Sequence, residues 1–553
     1  MNFGFIIDNR KCIGCHACTV ACKAEHDVPI GVNRTWVKYI EKGEFPNTRR
    51  VFSVMRCNHC ADAPCVEICP TSALFTRSDG IVDFDNRRCI GCKACTQACP
   101  YDALFIDPNT HTAAKCNYCA HRVDIGLEPS CVIVCPEHAI VSGDMDDPLS
   151  EISQLLSREQ VTARKMEKGT QPKLFYIDGD EAALNPMVTE RESAYLWSSQ
   201  ASGVGHFAHY AEARISRSDS EKLTQQLGGK GAGNWVEGGD DGGSVLVPGT
   251  SDDKRMLQKA MEVLKERARR VYDAPGKGMV WGWEVSAYVW TKAIATGAFL
   301  VPFLALAFDL APVSPSTQWW ALAIGLVFLI LTSVLLVKDL DKPARFVYVL
   351  LRPQWRSWLV RGGYALFIYG GLLTLWGAAR FFGWGTIDPA ALWGSAVFAV
   401  ITAVYTAFLF AQAKGRDFWQ SPALVLHMLV HAVMAGAALF GLLSLVVKTG
   451  AAWNGYLRTV LTSAIAFNLV IVAAELLTPH ATADAKMTVT EIVSGRFRSS
   501  FWLGVVTAGN VVPLALLWLG GSALMAAAGV LVLLGIYLTE HIWIRAPQMI
   551  QLS

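Results

Sequence analysis

The sequence predicts two fold classes in one chain: a small cysteine-rich α+β domain, then an all-α bundle of eight transmembrane helices. Three observations carry this. All sixteen cysteines fall between Cys12 and Cys135. Eight long apolar runs fill the chain beyond residue 280. Nine glycines at 228–249 form a flexible connection between the two regions. At 553 residues the length allows several domains. A net charge of +2 with 17% charged residues gives no basic patch, which excludes a nucleic-acid partner.

The cysteines form four groups: Cys12, Cys15, Cys18, Cys22; Cys57, Cys60, Cys65, Cys69; Cys89, Cys92, Cys95, Cys99; and Cys116, Cys119, Cys131, Cys135. Pro70, Pro100 and Pro136 follow the last cysteine of three groups. This is the thiolate spacing of bacterial ferredoxin clusters. Three thiolates on one tight loop hold three irons of a cubane, and the fourth reaches the neighbouring cluster. The fourth is expected to start a short helical turn. Sixteen ligands make four [4Fe-4S] clusters, so residues 1–180 read as an α+β ferredoxin-like electron-transfer domain. Zinc is the rival, because paired cysteines also build Zn(Cys)4 sites. A third cysteine in every group argues against it. A disulfide framework conflicts with assembly in reducing conditions.

Residues 143–178 read as a surface extension of this domain. Residues 181–280 read as a further extension, the Gly-rich linker and an amphipathic helix at 252–271. Leu257, Met261, Leu264, Ala268 and Val271 recur there at helical spacing. Its basic face suits lipid headgroups, or the helix packs on the cluster domain.

Residues 281–553 hold the apolar runs, at 283–307, 318–337, 363–383, 391–412, 421–446, 459–477, 501–519 and 522–540. Each approaches the ~20 residues needed to cross a bilayer. An even number returns both ends to one side. Sixteen Lys and Arg lie near span ends on the cluster-domain side and three on the other. The positive-inside rule therefore puts the cluster domain in the cytoplasm. Met1–Arg10 shows no basic leader or twin arginine, so no cleavable signal is expected.

The four-group domain resembles the iron–sulfur subunits of the dimethyl sulfoxide and polysulfide reductase families, since all four spacings agree in order. The membrane half resembles the NrfD-like family, the polysulfide reductase membrane subunit. WGWEVSAYVWTKAIATGA at 281–298, KDLDKPARFVYVLLRPQWRSW at 338–358, GRDFWQSPALVLHMLVHAVMAG at 415–436 and SGRFRSSFWLGVV at 494–506 carry that likeness. The resemblance implies a fusion of two normally separate subunits in a bacterial inner membrane. It implies electron exchange with membrane quinone, and a separate catalytic subunit holding a molybdenum or tungsten bis-pterin. It implies no haem. It also implies a cluster pairing: Cys12, Cys15, Cys18 with Cys135; Cys116, Cys119, Cys131 with Cys22; Cys57, Cys60, Cys65 with Cys99; and Cys89, Cys92, Cys95 with Cys69, the last nearest the membrane.

A quinone needs an apolar slot with donors or proton carriers at its carbonyls, and ionisable groups inside spans are costly and usually functional. Glu284, Tyr288 and Lys292 share one face of the first span, with Tyr288 placed to bridge the other two. The alternative is an interfacial Glu284, a snorkelling Lys292 and a belt tyrosine. His427 and His431 stand one turn apart on the fifth span. They serve the quinone or a proton path, pack helices, or ligate haem with His541. Asp339, Asp341 and Arg345 either orient the cluster domain, gate the slot or anchor the interface. Glu475 is deep in the sixth span with Asn468 near the same face, and it must be neutral, paired or hydrated. Two other functions compete with the quinone-linked reductase subunit. One is a redox-driven ion-translocating module. The other is a subunit serving a hydrogenase or multihaem cytochrome.

Overall fold

The computed structural model describes residues 1–43, 47–189, 268–274, 276–447 and 450–553. The Gly-rich stretch 228–249 and residues 252–267 of the expected amphipathic helix lie outside them.

In the cluster domain the strands are β1 (Phe3–Asp8), β2 (Thr35–Lys42), β3 (Arg49–Arg56), β4 (Ile140–Asp144), β5 (Val161–Thr162), β6 (Leu174–Ile177) and β7 (Arg269–Tyr272), with two further short hairpins. One sheet runs β4-β1-β6-β5, with β1 antiparallel to β4 and parallel to β6. The apolar run FGFIID makes β1 fit a strand covered on both faces. The expected surface extension at 143–178 is corrected here: β6 lies inside the sheet, with Leu174 and Tyr176 fully buried. Its LFYI run is rich in the aromatic and β-branched residues that strands bury.

The second sheet runs β7-β2-β3, all antiparallel. Residues 269–271 are therefore strand, not the end of a helix. Arg270 pairs with Ile40 across the ladder, and its side chain forms a fully buried ion pair with Asp273 at 2.8 Å. Asp273 also accepts from the Trp36 indole at 2.8 Å. These buried polar partners overrule helical periodicity, because a buried charge left unpaired would be costly.

The eight membrane helices are α1 (Trp283–Ala307), α2 (Pro315–Lys338), α3 (Trp358–Phe382), α4 (Ile387–Gln412), α5 (Ala423–Leu443), α6 (Ala451–Leu477), α7 (Ser500–Leu519) and α8 (Ser522–Met549). α7 begins as a π-helix over Ser500–Val511. α1 is the most enclosed helix. Its Ala293, Ala295, Thr296, Gly297 and Ala298 permit close backbone approach, which is how helices associate without a hydrophobic drive. Exposed Phe367, Val397, Val470 and Trp518 leave the outside apolar, as lipid contact requires.

The cluster domain is docked onto one end of the bundle. Arg345 donates to the carbonyls of Asn86 at 2.7 Å and Cys89 at 3.0 Å. Lys93 pairs with Asp341 at 3.2 Å, Lys165 with Asp484 at 3.7 Å, and Lys168 with Asp417. The Trp281 indole donates to the Cys92 carbonyl at 3.2 Å. Burial pushes the Lys165 ammonium down to about 8, against the opposing pull of Asp484.

Candidate electron-transfer site

Helical turns place the thiols. Cys18 and Cys22 lie on Ala17–Glu25, Cys65 on Pro64–Ile68, and Cys95 on Ala94–Ala98. The third cysteine thus enters the turn, and the fourth does not start it: Cys22 lies further along the same helix. Cys69 and Cys99 end their turns as C-caps. The proline that follows cannot extend the helix, which fixes that exit.

Cys12, Cys15, Cys18 and Cys135 line one cavity. Cys69, Cys89, Cys92 and Cys95 line another. Cys22 lies within electrostatic reach of Cys116, Cys119 and Cys131. Cys65 stands in the same relation to Cys57, Cys60 and Cys99. All sixteen thiols are unpaired with one another. Among the described residues, no three cysteine sulfurs gather within 4.8 Å. Tetrahedral zinc, with Zn–S of about 2.3 Å, would need sulfurs roughly 3.8 Å apart. The wider sets suit a cubane, whose irons stand between the sulfurs. Burial raises most of these thiols, including Cys119 to about 11, and iron held by them would supply the charge that favours the thiolate.

The two cavities differ in setting. In the first, Cys15 and Ile13 are exposed, and the helical turns that carry Cys18 and Cys131 expose Val20, Ile133 and Val134. The second lies at the seam with the bundle. There Asp341 bonds through its own N–H to the Gly91 carbonyl at 3.3 Å, and Arg345 holds the Cys89 loop.

Inside the bundle, α1, α4, α5, α6 and α8 bring together a buried polar group. The His427 Nδ1 and a Glu475 carboxylate oxygen are 2.8 Å apart, and the His431 Nδ1 and Glu540 are 2.7 Å apart. The Trp543 indole donates to Glu475 at 3.0 Å. Lys292 donates to the Ala403 carbonyl at 3.0 Å and the Thr406 hydroxyl at 2.5 Å, over the Tyr405 ring. The Nε2 atoms of both histidines are buried without a hydrogen-bond partner. Such a set offers two histidine nitrogens, two carboxylates and a lysine amine in a buried interior, where protons can be held or handed on.

Several sequence expectations resolve here. Tyr288 is buried but makes no hydrogen bond to Glu284 or Lys292, so it does not bridge them. Lys292 does not snorkel; only 1% of it is accessible. Glu284 is half-buried at the head of α1, outside the group, and near Asp339. Burial, with Glu284 and Asp341 adding to it, pushes the Asp339 carboxyl up to about 7 against Lys93. Arg345 is bound to the cluster loop and stands apart from Lys292. Asn468 does not approach Glu475; it donates to Asn510 at 3.0 Å. Glu540 and Trp543 went unread in the sequence. The signal was present for Glu540, an ionisable residue within the last apolar run.

Residues 274–550 match the family model for polysulphide reductase, NrfD. The chain belongs to the polysulphide reductase NrfD family. Ahead of that NrfD region, two models of a 4Fe-4S dicluster domain match residues 11–74 and 49–145. The same half is similar to a tetrathionate reductase subunit of Salmonella typhimurium, 43% identical over 199 residues, covering 35% of this chain and 79% of that protein. It is similar to protein NrfC of Escherichia coli K12, 43% identical over 180 residues, covering 32% and 81%. A polysulfide reductase subunit of Wolinella succinogenes is 42% identical over 180 residues, covering 32% and 93%. This NrfD-family chain is thus an iron–sulfur electron-transfer subunit fused to its multi-pass membrane anchor.

Proposed function

We propose that the chain passes electrons between membrane quinone and a separate catalytic subunit, through four [4Fe-4S] clusters held in the four cysteine sets above. The clusters supply one-electron carriers; the chain's residues fix where that path begins and ends. The observation that carries this reading is the different setting of the two cysteine cavities, one exposed and one held against the bundle. One is lined by exposed Cys15 and Ile13, and the turns that carry Cys18 and Cys131 expose Val20, Ile133 and Val134, which suits a docked protein partner. The other sits on the bundle through Trp281, Arg345 and Asp341.

At the membrane end, the quinone slot is assigned to the space served by Tyr288, Lys292, His427 and His431. The two unpartnered Nε2 atoms are donors or acceptors for its carbonyls, and Glu475 and Glu540 hold the opposite ring nitrogens, fixing ring orientation. Glu284 stands at the entry and Arg345 keeps the nearest cluster loop in place. The reductases named above support a molybdenum or tungsten bis-pterin partner. The sixteen-to-three distribution of basic residues supports a cytoplasmic cluster domain in a bacterial inner membrane.

The test is anaerobic purification with metal analysis and quinol-driven reduction followed by EPR. Sixteen irons per chain and cluster signals from a reduced naphthoquinol analogue are expected. Far fewer irons, or no response to quinol, would refute the reading. Co-purified nickel or covalent haem, in place of molybdenum or tungsten, would reassign the partner.

The paired His427–Glu475 and His431–Glu540 side chains also favour a second reading, proton translocation coupled to electron flow. Sealed vesicles decide it: acidification beyond the protons released by quinol oxidation supports it, and strict equality rejects it.

A further inference from the structure

Two cations are buried in the cluster domain where no carboxylate meets them. Arg56 is 0% accessible. It donates one hydrogen bond to the Cys131 sulfur at 3.1 Å, and its Nε and Nη2 have no partner. Its guanidinium lies 4.4 Å over the Phe5 ring. Its charge acts on Cys131 and Cys116 on one side and on Cys18 on the other. Lys115 is also 0% accessible. Its ammonium donates to the Cys116 carbonyl at 2.8 Å and to the Val82 carbonyl, and its charge acts on Cys57 and Cys65.

An isolated buried cation is very costly. No ion pair to a carboxylate offsets either one among the described residues. Among the described residues, the acidic groups set against Arg56 and Lys115 are cysteine sulfurs, and each cation faces two cysteine sets. Arg56 stands between the Cys12/Cys15/Cys18/Cys135 set and the Cys22/Cys116/Cys119/Cys131 set. Lys115 stands between the latter and the Cys57/Cys60/Cys65/Cys99 set.

We propose that Arg56 and Lys115 are redox-tuning residues, one in each of the first two gaps along the electron path, each raising the reduction potential of the centres on both its sides. This rests on the four-cluster reading. Adding an electron to a thiolate-ligated cluster adds one negative charge. A fixed cation in a low-dielectric gap stabilises that charge, and water cannot replace it. Shared cations also keep neighbouring centres close in potential, so that no step along the path is strongly uphill.

The test is EPR-monitored redox titration of the full chain, with iron quantified beside it. Arg56→Gln is expected to lower the reduced-to-oxidised ratio of two centres at least tenfold at fixed potential, a 59 mV fall for a one-electron couple. Lys115→Met does the same for a different, overlapping pair. The Cys69/Cys89/Cys92/Cys95 centre stays unmoved in both. Arg56→Lys, which keeps the charge, holds the ratio within a few-fold of the parent. Loss of iron in Arg56→Gln alone, with Arg56→Lys replete, also follows, since the charge then helps retain the anionic cluster. An iron-replete Arg56→Gln with no shift, or glutamine and lysine variants that behave alike, overturns the proposal. Too little iron in the parent chain would instead refute the four-cluster reading.

Discussion

The closest helix crossing at a glycine of the bundle sits one turn and a half from the buried polar group, and it offers a severe test of the quinone assignment. A Cβ at Gly297 on α1 would stand 1.8 Å from the Ala432 carbonyl oxygen of α5. A Cβ at Gly436 would stand 2.1 Å from the Gly297 carbonyl oxygen. Real Cβ atoms keep at least 3.0 Å, so Gly297→Ala must part the two helices by about 1.2 Å. Overpacking of this kind costs about 1–3 kcal/mol. The same movement carries Lys292 away from His427 and His431, and a displacement near 1 Å costs roughly 10²-fold in a positioned reaction. The assay compares two reductants by stopped flow. Quinol-driven cluster reduction is expected to fall about 10²-fold, while reduction by dithionite, which bypasses the bundle, keeps its parent rate. Gly371→Ala is the control, because a Cβ there meets nothing within 4 Å. If Gly297→Ala matches Gly371→Ala in both rate and thermal stability, the close crossing does not position the site and the reasoning fails.

Lys292→Met removes the ammonium while filling the same space. Quinone-linked turnover should fall by about 10²-fold or more if that group holds or delivers a proton, with iron content unchanged; parent turnover would remove Lys292 from the slot. Arg270→Met strands the fully buried Asp273 carboxylate and should cost about 3–5 kcal/mol of local stability, read as faster proteolysis near β7. The docking of the cluster domain should depend on alkaline pH through Lys165. Its folded value of about 8 lies below the ordinary 10.5. Between the two the unfolded chain binds more protons, so stability rises with pH across that window and is flat below it. Lys165→Met should abolish that slope in thermal melts taken across the window.

Much of the chain was legible without coordinates. The cysteine groups and the eight spans are local patterns: ligand spacing on a short loop, and the length of an apolar run. Both are fixed by neighbours in sequence, and the spans begin and end within a few residues of expectation except where α6 starts earlier and α8 runs on to Met549. The errors share a cause. Residues 269–271 have helical periodicity, yet they complete a sheet whose other strands lie more than 200 residues away. β6 looks like an exposed tail until β1 covers one edge and β5 the other. Glu475 looks isolated beside Asn468 because its true partners, His427 and Trp543, are 48 and 68 positions distant.

The sequence by itself determined the inventory: which atoms can bind iron, which segments cross lipid, and which ionisable groups lie in apolar surroundings. Tertiary structure alone decided the assignments. It left one cysteine cavity exposed at Cys15 and Ile13 and set another against the bundle. It joined His427 to Glu475 and His431 to Glu540, and lodged Arg56 between two thiolate sets. The physical reason is that a buried charge or hydrogen-bonding group takes whatever partner the packing brings within about 3 Å, and chain separation carries no information about that distance.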